Sequence, residues 1–200
     1  NRIVGNDDNC PALEMTLLGP KLKVLREALI CLTGAQFAFK INGKTAEMYK
    51  SLVVKPDDVL EFGPASQGMR GYLAINGGIS VPSVLGSAST DLKTHMGGYK
   101  GRKLARKDVI NATESKIQKN FIGFSVDPAE FQFGREENVF RVLMGPDDDH
   151  FTNSGIRTFL ESEFSLTDKC DRMGCRLTGP TIEHNEKGPG IVSDGNGLGT

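Results

Sequence analysis

The residues best suited to chemistry lie in the stretch KCDRMGCRLTGP, residues 169–180. Cys170 and Cys175 enclose an acid and a base, Asp171 and Arg172. The stretch is consistent with half of a metal site, with a redox pair, or with a recognition loop that also contains cysteines. Each alternative predicts a different kind of protein, so the rest of the sequence has to decide among them.

The other potential ligands do not support a metal centre. The four cysteines show no paired CxxC spacing, and the three histidines have no ligand partner at a fixed offset. Four cysteines in 200 residues are also too few for a disulfide-dense secreted scaffold. We therefore expect no metal in this chain and interpret the cysteines as thiols.

Three glycine-containing stretches are candidates for anion binding. The segment NGKT (42–45) ends like a P-loop, but Ala38 stands where the first glycine is required, so a hairpin turn at Asn42-Gly43 is the stronger interpretation. The loop GGYKGR (97–102) has exposed amides and cations, including Arg102, that could hold an anion; a solvated turn is the alternative. Arg70, in GMRGY, could clamp a carboxylate or phosphate, or it could be an ordinary surface arginine.

Composition limits the partners that are expected. The 24 Lys and Arg residues balance 25 Asp and Glu residues, for a net charge of -1, so neither nucleic acid nor an anionic membrane is an expected partner. No apolar run reaches the roughly 20 residues of a membrane helix, and the start, NRIVGNDDNC, lacks signal-peptide features. We expect a cytoplasmic protein.

The elements that position these residues are predicted to be mainly β. Gly and Pro recur between apolar runs of strand length, at 12–18, 21–25, 28–33, 37–41, 59–64, 71–76, 109–112, 139–144, 162–166 and 175–177. One helix is predicted after residue 144, with Asp147 to Asp149 as the N-cap and an apolar stripe that includes Phe151 and Phe159. A polar linker at 127–138 separates a first lobe, 1–126, from part of a second, 139–200.

Several segments, taken in order along the whole chain, resemble one family. They are NRIVGN (1–6), ALEMTLLGP (12–20), TGA (33–35) with Asn42-Gly43, GMRGYLAINGGI (68–79), VLGSASTD (84–91), residues 97–102 and DRMGCRL (171–177). This order resembles the allophanate hydrolase subunit 2, or biotin-dependent carboxyltransferase, family, which includes the C subunit of bacterial 5-oxoprolinase and KipA-like regulators. Ala88 stands where the family usually has arginine. Family members also extend beyond both ends of this sequence, so we expect a fragment.

The resemblance implies a fold and an activity. The expected fold is mainly β, with two cyclophilin-like β-barrel lobes and a few short helices. The expected function is that of a subunit of an ATP-dependent 5-oxoprolinase, which opens a lactam with ATP as co-substrate, together with a subunit 1 (KipI-like) protein and a LamB/YcsF-type protein as a further candidate partner. The alternatives are a biotin-dependent carboxyltransferase acting on urea or a similar amide, and a non-catalytic regulatory protein of the KipA type.

The resemblance also implies which residues form the site. Arg70, Asp171 and Arg172 are expected to be catalytic, with the arginines stabilising developing negative charge and the aspartate moving a proton. Substrate or anion binding is expected from Gly77, Gly78, Asp91, Arg102, Ser193 and Asp194. The structural alternative is that an aspartate pairs with a neighbouring arginine or caps its own turn. Cys170 and Cys175 are not part of the family pattern, so the double serine variant is expected to keep its fold and activity.

Overall fold

Two long antiparallel strands organise the first part of the molecule. The computed structural model describes residues 1–131, 141–170 and 174–188, and the chain divides into two compact units, Asn1–Phe133 and Gly134–Thr200. The strands of the first unit are β1 Leu13–Thr16, β2 Lys21–Lys23, β3 Ala28–Ile41, β4 Lys44–Thr45, β5 Leu52–Val54 and β6 Val59–Ile75. Their order is β1-β6-β3-β4, with β2 also pairing β6 and β5 also pairing β3.

The second unit contains one helix and one strand pair among its described residues. The helix is α1 Asn153–Glu161, and the antiparallel strands are β7 Ser165–Cys170 and β8 Cys175–Thr178. Short 3-10 turns complete the described structure, at Arg2–Val4, Lys119–Phe121, Pro128–Phe131 and Asp148–His150. The prediction of a mainly β protein with a few short helices is confirmed, whereas the predicted lobe boundary at 127–138 stays a prediction.

Four of the predicted strands are halves of two longer ones. Residues 28–33 and 37–41 both belong to β3. Residues 59–64 and 71–76 both belong to β6, apart from residue 76, which lies just beyond its end. Gly34 explains the continuity, because its φ of 91° and register shifts on either side of Gln36 bend β3 without releasing it from β6. Since a Cβ at Gly34 would lie 2.5 Å from the Arg70 carbonyl oxygen, only glycine allows this close approach.

Two of the predicted strands are wrong, and two short strands, β4 and β5, were not among the predicted ranges. At 109–112 the structure has only an isolated bridge between Ala112 and Ile79, and the described part of 139–144 has no strand. Leu143 there is 97% exposed, which shows that an apolar run alone does not establish burial. Residues 139 and 140 lie outside the described residues. Of these, β4 has two residues and β5 has three, and in the described structure each pairs with β3.

The predicted hairpin turn and the predicted helix are both present. Asn42 and Gly43 have φ of 53° and 76° between the β3 and β4 partners Ile41 and Lys44, as a type I′ turn requires. The helix begins later than predicted, because the Thr152 hydroxyl, rather than an aspartate, accepts a hydrogen bond from the Gly155 N–H at 3.0 Å. The aspartate N-cap prediction is therefore wrong; the acidic run enters a 3-10 turn instead.

In the described part of the chain, the hydrophobic core is confined to residues near the start. Among the described residues, every buried apolar side chain lies between Ile3 and Ile79. One cluster fills the inner face of the sheet around Phe39, Phe62 and Leu73, and a second joins the N-terminal turn to β3 through Val4 and Leu29. None of the described helices combines the length and apolar composition needed to cross a bilayer.

Candidate functional site

The outer face of the β1-β6-β3 sheet carries a group of polar side chains around Arg70. Register places Thr16 opposite Arg70, and it places Glu14 and Thr33 on either side of Tyr72. Because side chains alternate along a strand, Gly71 and Leu73 face the core while Arg70 and Tyr72 face outward. We call this surface the Arg70 face; its members are Glu14, Thr16, Thr33, Arg70 and Tyr72.

Arg70 is placed near a negative charge, and one of its donors has no hydrogen-bond partner in the described part of the chain. Its Nε lies 3.6 Å from the Glu14 Oε1, which is beyond normal hydrogen-bond distance, and about a third of each side chain is exposed. The Arg70 Nε is buried and has no hydrogen-bond partner in the described part of the chain. A planar guanidinium that is partly exposed can donate to a carboxylate or to a carbonyl oxygen that develops negative charge.

Tyr49 supports the strand behind this face. Its hydroxyl donates to the Gly34 carbonyl oxygen at 2.7 Å and accepts from the Gly34 N–H at 3.1 Å. Gly34 is the register partner of Gly71, which directly follows Arg70. The bend in β3 is therefore held in place beside the residue most suited to binding an anion.

Gly77 and Gly78 have structural hydrogen bonds in this fold. The Gly77 N–H donates to the Asn6 side-chain oxygen at 2.7 Å, and the Gly78 N–H donates to the Ile75 carbonyl at 2.8 Å. The turn they form follows the end of β6, and Ile75 alone is about 17 Å along the strand from Arg70. The structure therefore does not bring the glycine pair to the Arg70 face. Substrate binding by these amides would require breaking both hydrogen bonds, and it stays a prediction.

Asp91 caps its own turn. Its carboxylate accepts hydrogen bonds from the Lys93 N–H at 2.9 Å and the Thr94 hydroxyl at 2.7 Å. These bonds, led by that from Thr94, hold the pKa of Asp91 below its usual range, so the group is ionised near neutral pH. This geometry matches the turn-capping alternative, and a binding role for Asp91 stays a prediction.

Arg102 is engaged by a carboxylate of its own loop. Its two terminal nitrogens donate to the Asp108 oxygens at 2.6 and 2.8 Å, and its guanidinium carbon lies 5.3 Å from the centre of the Tyr99 ring. The hydrogen bonds from Arg102, with a further one from the Ala105 N–H, hold the pKa of Asp108 far below its usual range. Because the carboxylate already balances this cation, the structure gives Arg102 a loop-stabilising role, and anion binding stays a prediction.

Four predicted site residues, Asp171, Arg172, Ser193 and Asp194, lie outside the described residues. The structure instead adds Glu14 and Tyr72, which sequence reasoning missed because strand register, not sequence proximity, brings Glu14 to Arg70. Both lie inside the segments that carry the family resemblance, which was the available signal. In the described part of the chain, no group of three or more His, Cys, Asp or Glu side chains has a metal-binding arrangement.

Comparison with known proteins identifies the family. The family model described as "Carboxyltransferase domain, subdomain A and B" matches residues 1–200. The chain belongs to this family. The resemblance predicted from the sequence segments is thereby confirmed, and the Arg70 face is a feature of a carboxyltransferase-domain chain.

Its relatives include two kinds of protein. The chain is 34% identical over 186 residues to the C subunit of 5-oxoprolinase from Escherichia coli (strain K12) and 31% identical over 183 residues to that from Haemophilus influenzae, with 92% of this chain and 57% of each relative covered. It is 35% identical over 190 residues to the urea amidolyase of Lachancea kluyveri, with 90% of this chain and 10% of that protein covered. The chain thus spans a little over half of the bacterial relatives and a tenth of the yeast one.

Solved structures of this carboxyltransferase family share the fold. The K. lactis urea amidolyase superposes with a TM-score of 0.82 at 33% identity, covering 92% of this chain and 12% of that one. The Kluyveromyces lactis urea carboxylase gives a TM-score of 0.81 at 33% identity, covering 92% of this chain and 17% of that one. The mainly β architecture described above is therefore that of the carboxyltransferase domains of known enzymes.

Proposed function

We propose that this chain acts as the C subunit of an ATP-dependent 5-oxoprolinase, a hydrolase of a cyclic amide that is active only as a complex. The observation that carries the proposal is the pair of bacterial relatives that are C subunits of 5-oxoprolinase, each matched over 92% of this chain. The proposal includes a subunit 1 type partner, ATP as co-substrate of the complex and a cytoplasmic location.

The Arg70 face offers a chemical rationale for binding such a substrate. A 5-oxoproline molecule presents a carboxylate and a lactam carbonyl, and both are hydrogen-bond acceptors. About a third of the Arg70 side chain is exposed, and the partly exposed Tyr72 lies next to it on the same face. A guanidinium that strengthens its hydrogen bond as the lactam oxygen gains charge would lower the barrier to ring opening.

Reconstitution tests the proposal. The chain is combined with the subunit 1 type and LamB/YcsF-type proteins, and glutamate release from 5-oxoproline is measured with and without ATP. We expect ATP-dependent release from the complete set and none when any one protein is left out. A complete, correctly assembled set that releases no glutamate would contradict the proposal.

A second candidate function is carboxyl transfer from biotin to urea. It is supported by the superposition on the urea amidolyase and urea carboxylase structures, at TM-scores of 0.82 and 0.81. The distinguishing assay measures transfer from a carboxylated biotin carrier to urea. Transfer without glutamate release would favour this function, and binding of the subunit 1 type protein without turnover of either substrate would favour a regulatory role.

A further inference from the structure

The hairpin of β7 and β8 places two cysteines directly opposite each other. Cys170, the last residue of β7, is the register partner of Cys175, the first residue of β8. Cys175 is exposed, Cys170 is partly exposed, and both are thiols in the structure. Because the register shifts between Leu166 and Cys170, the pairing of Cys170 with Cys175 cannot be found by counting residues along the two strands from the Leu166–Leu177 pair.

Opposed residues of an antiparallel pair have the spacing that a disulfide needs. Their Cα atoms are about 4.5 to 5.5 Å apart, and disulfides span Cα distances of about 4.4 to 6.8 Å. Rotation of the two side chains toward each other, with at most a small backbone adjustment, therefore brings the sulfur atoms within bonding distance. Solvent access to Cys175 gives an oxidant a point of entry.

Cys31, by contrast, is poorly placed to react. Its side chain is buried in the cluster that contains Val4 and Leu29. Burial raises the pKa of the Cys31 thiol to about 11, so very little reactive thiolate forms near neutral pH. Within the described residues, the hairpin pair is the pair of thiols that combines strand pairing with access to solvent.

We infer that Cys170 and Cys175 form a reversible intramolecular disulfide, a redox modification site that goes beyond the proposed function. The oxidant is a low-molecular-weight disulfide such as oxidised glutathione. The Cys175 thiolate attacks one glutathione sulfur and expels a glutathione thiolate, and the Cys170 thiolate then attacks the Cys175 sulfur and expels the second. The two protons that leave the cysteines end on the two released glutathione thiolates, which have accepted the two electrons.

The bond closes a ring that includes residues 171–174 by connectivity alone. That segment contains Asp171 and Arg172, which the family resemblance predicts to be catalytic. The expectation that the Cys170→Ser, Cys175→Ser double variant keeps its fold and activity stays a prediction.

The test is a redox titration of the native chain in buffers of reduced and oxidised glutathione, quenched by alkylation. We expect a mass loss of two hydrogen atoms and a linked peptide that joins Cys170 to Cys175. In the native chain the bond should still form at a ratio of reduced to oxidised glutathione at least about tenfold higher than the ratio at which it forms in the urea-unfolded chain. The folded hairpin holds the two thiols opposite each other, whereas in the unfolded chain a flexible linker gives only millimolar effective concentrations.

Single variants identify the partners. Cys170→Ser and Cys175→Ser should each abolish the intramolecular disulfide, whereas Cys10→Ser should leave it unchanged. The inference is overturned if the native chain keeps both thiols, carries glutathione on both, or forms the bond no more readily than in urea. A disulfide that survives in Cys170→Ser overturns it as well, because the bond then joins other cysteines.

Discussion

Arg70 is held beside a carboxylate without a hydrogen bond to it. The 3.6 Å separation from Glu14 orients the guanidinium electrostatically, and the buried Nε keeps its N–H without a partner in the described structure. Arg102 shows the opposite arrangement, because both its terminal nitrogens bind Asp108. The two arginines therefore lead to different predictions, one about activity and one about stability.

Substitution of Arg70 tests the activity prediction, which rests on the proposed function. In the reconstituted complex, Arg70→Lys should lower kcat/KM about 100-fold, since lysine keeps the charge but loses the planar set of donors. The free energy of unfolding should change by less than about 1 kcal/mol, because the side chain is partly exposed. The matched control is Arg157→Lys, on the exposed surface of α1. An Arg70→Lys complex with activity within about twofold of the original would contradict the role.

The Asp108 carboxylate makes a pH-dependent contribution to stability. Its pKa in the folded chain lies below its unfolded value of about 3.9, so its stabilising effect is complete above that value and is lost as the pH falls toward the folded value. The stability difference between the original chain and Asp108→Asn should therefore be constant from about pH 7 to 5 and shrink below about pH 4. Urea unfolding at a series of pH values measures it. A difference that stays constant down to the lowest accessible pH would rule this explanation out.

The end of β6 depends on close packing between backbone segments. The Asn6 side chain accepts from the Gly77 N–H and donates to the Ile75 carbonyl at 2.8 Å, and the Gly78 carbonyl accepts from the Thr113 N–H. Gly77 has a φ of 85°, and a Cβ there would lie 2.2 Å from the Thr113 carbonyl oxygen. The turn therefore needs glycine both for its conformation and for space.

A pair of alanine substitutions separates these two requirements. Gly77→Ala should destabilise the first unit by about 3 kcal/mol or more, because it adds a steric clash to the cost of a left-handed conformation. Gly43→Ala is the control: Gly43 has a φ of 76° with no atom near its Cβ position, so the cost should be only about 1 kcal/mol. Urea unfolding measures both. Equal losses in the two variants would show that the Thr113 contact is unimportant.

The sequence correctly predicted the hairpin turn and the helix, because residues close together in the chain determine both elements. The Asn42-Gly43 hairpin follows from two positive φ angles, and the helix follows from its periodic apolar residues. The union of predicted strands into β3 and β6 could not be predicted, because it depends on a bend at Gly34 that is stabilised by a contact with Tyr49. The Glu14 neighbour of Arg70 was missed for the same reason: strand register is set by tertiary packing.

The distribution of buried side chains differs between the two units. The apolar side chains that the described structure buries all belong to residues 3–79, in the first unit. In the described part of the second unit, β8 is exposed along its whole length, and Gly155 is the buried residue of α1. A two-stranded sheet with so little burial is only marginally stable by itself.

Hydrogen exchange should show this difference across the whole molecule. Amides of β3 and β6 should exchange only when the first unit unfolds, whereas amides of α1, β7 and β8 should exchange at least about 100-fold faster through local opening. Exchange of the intact chain, followed by mass spectrometry of its peptides, resolves the two groups. Equal protection in the two units would refute the prediction and would indicate that the second unit is stabilised by more than its described contacts.

The pairing of β3 with β6 also has a consequence for the order of folding. Contacts in this pair range from Ile41 with Leu60, which are close in sequence, to Ile30 with Ile75, which are far apart. Because closing a short loop costs less entropy than closing a long one, pairing should start at the Ile41 end and extend toward Ile75. The N-terminal turn, which hydrogen-bonds to Ile75 through Asn6, can dock only after that extension is complete. We therefore expect the Asn6 contact to form after the β3-β6 pair is complete.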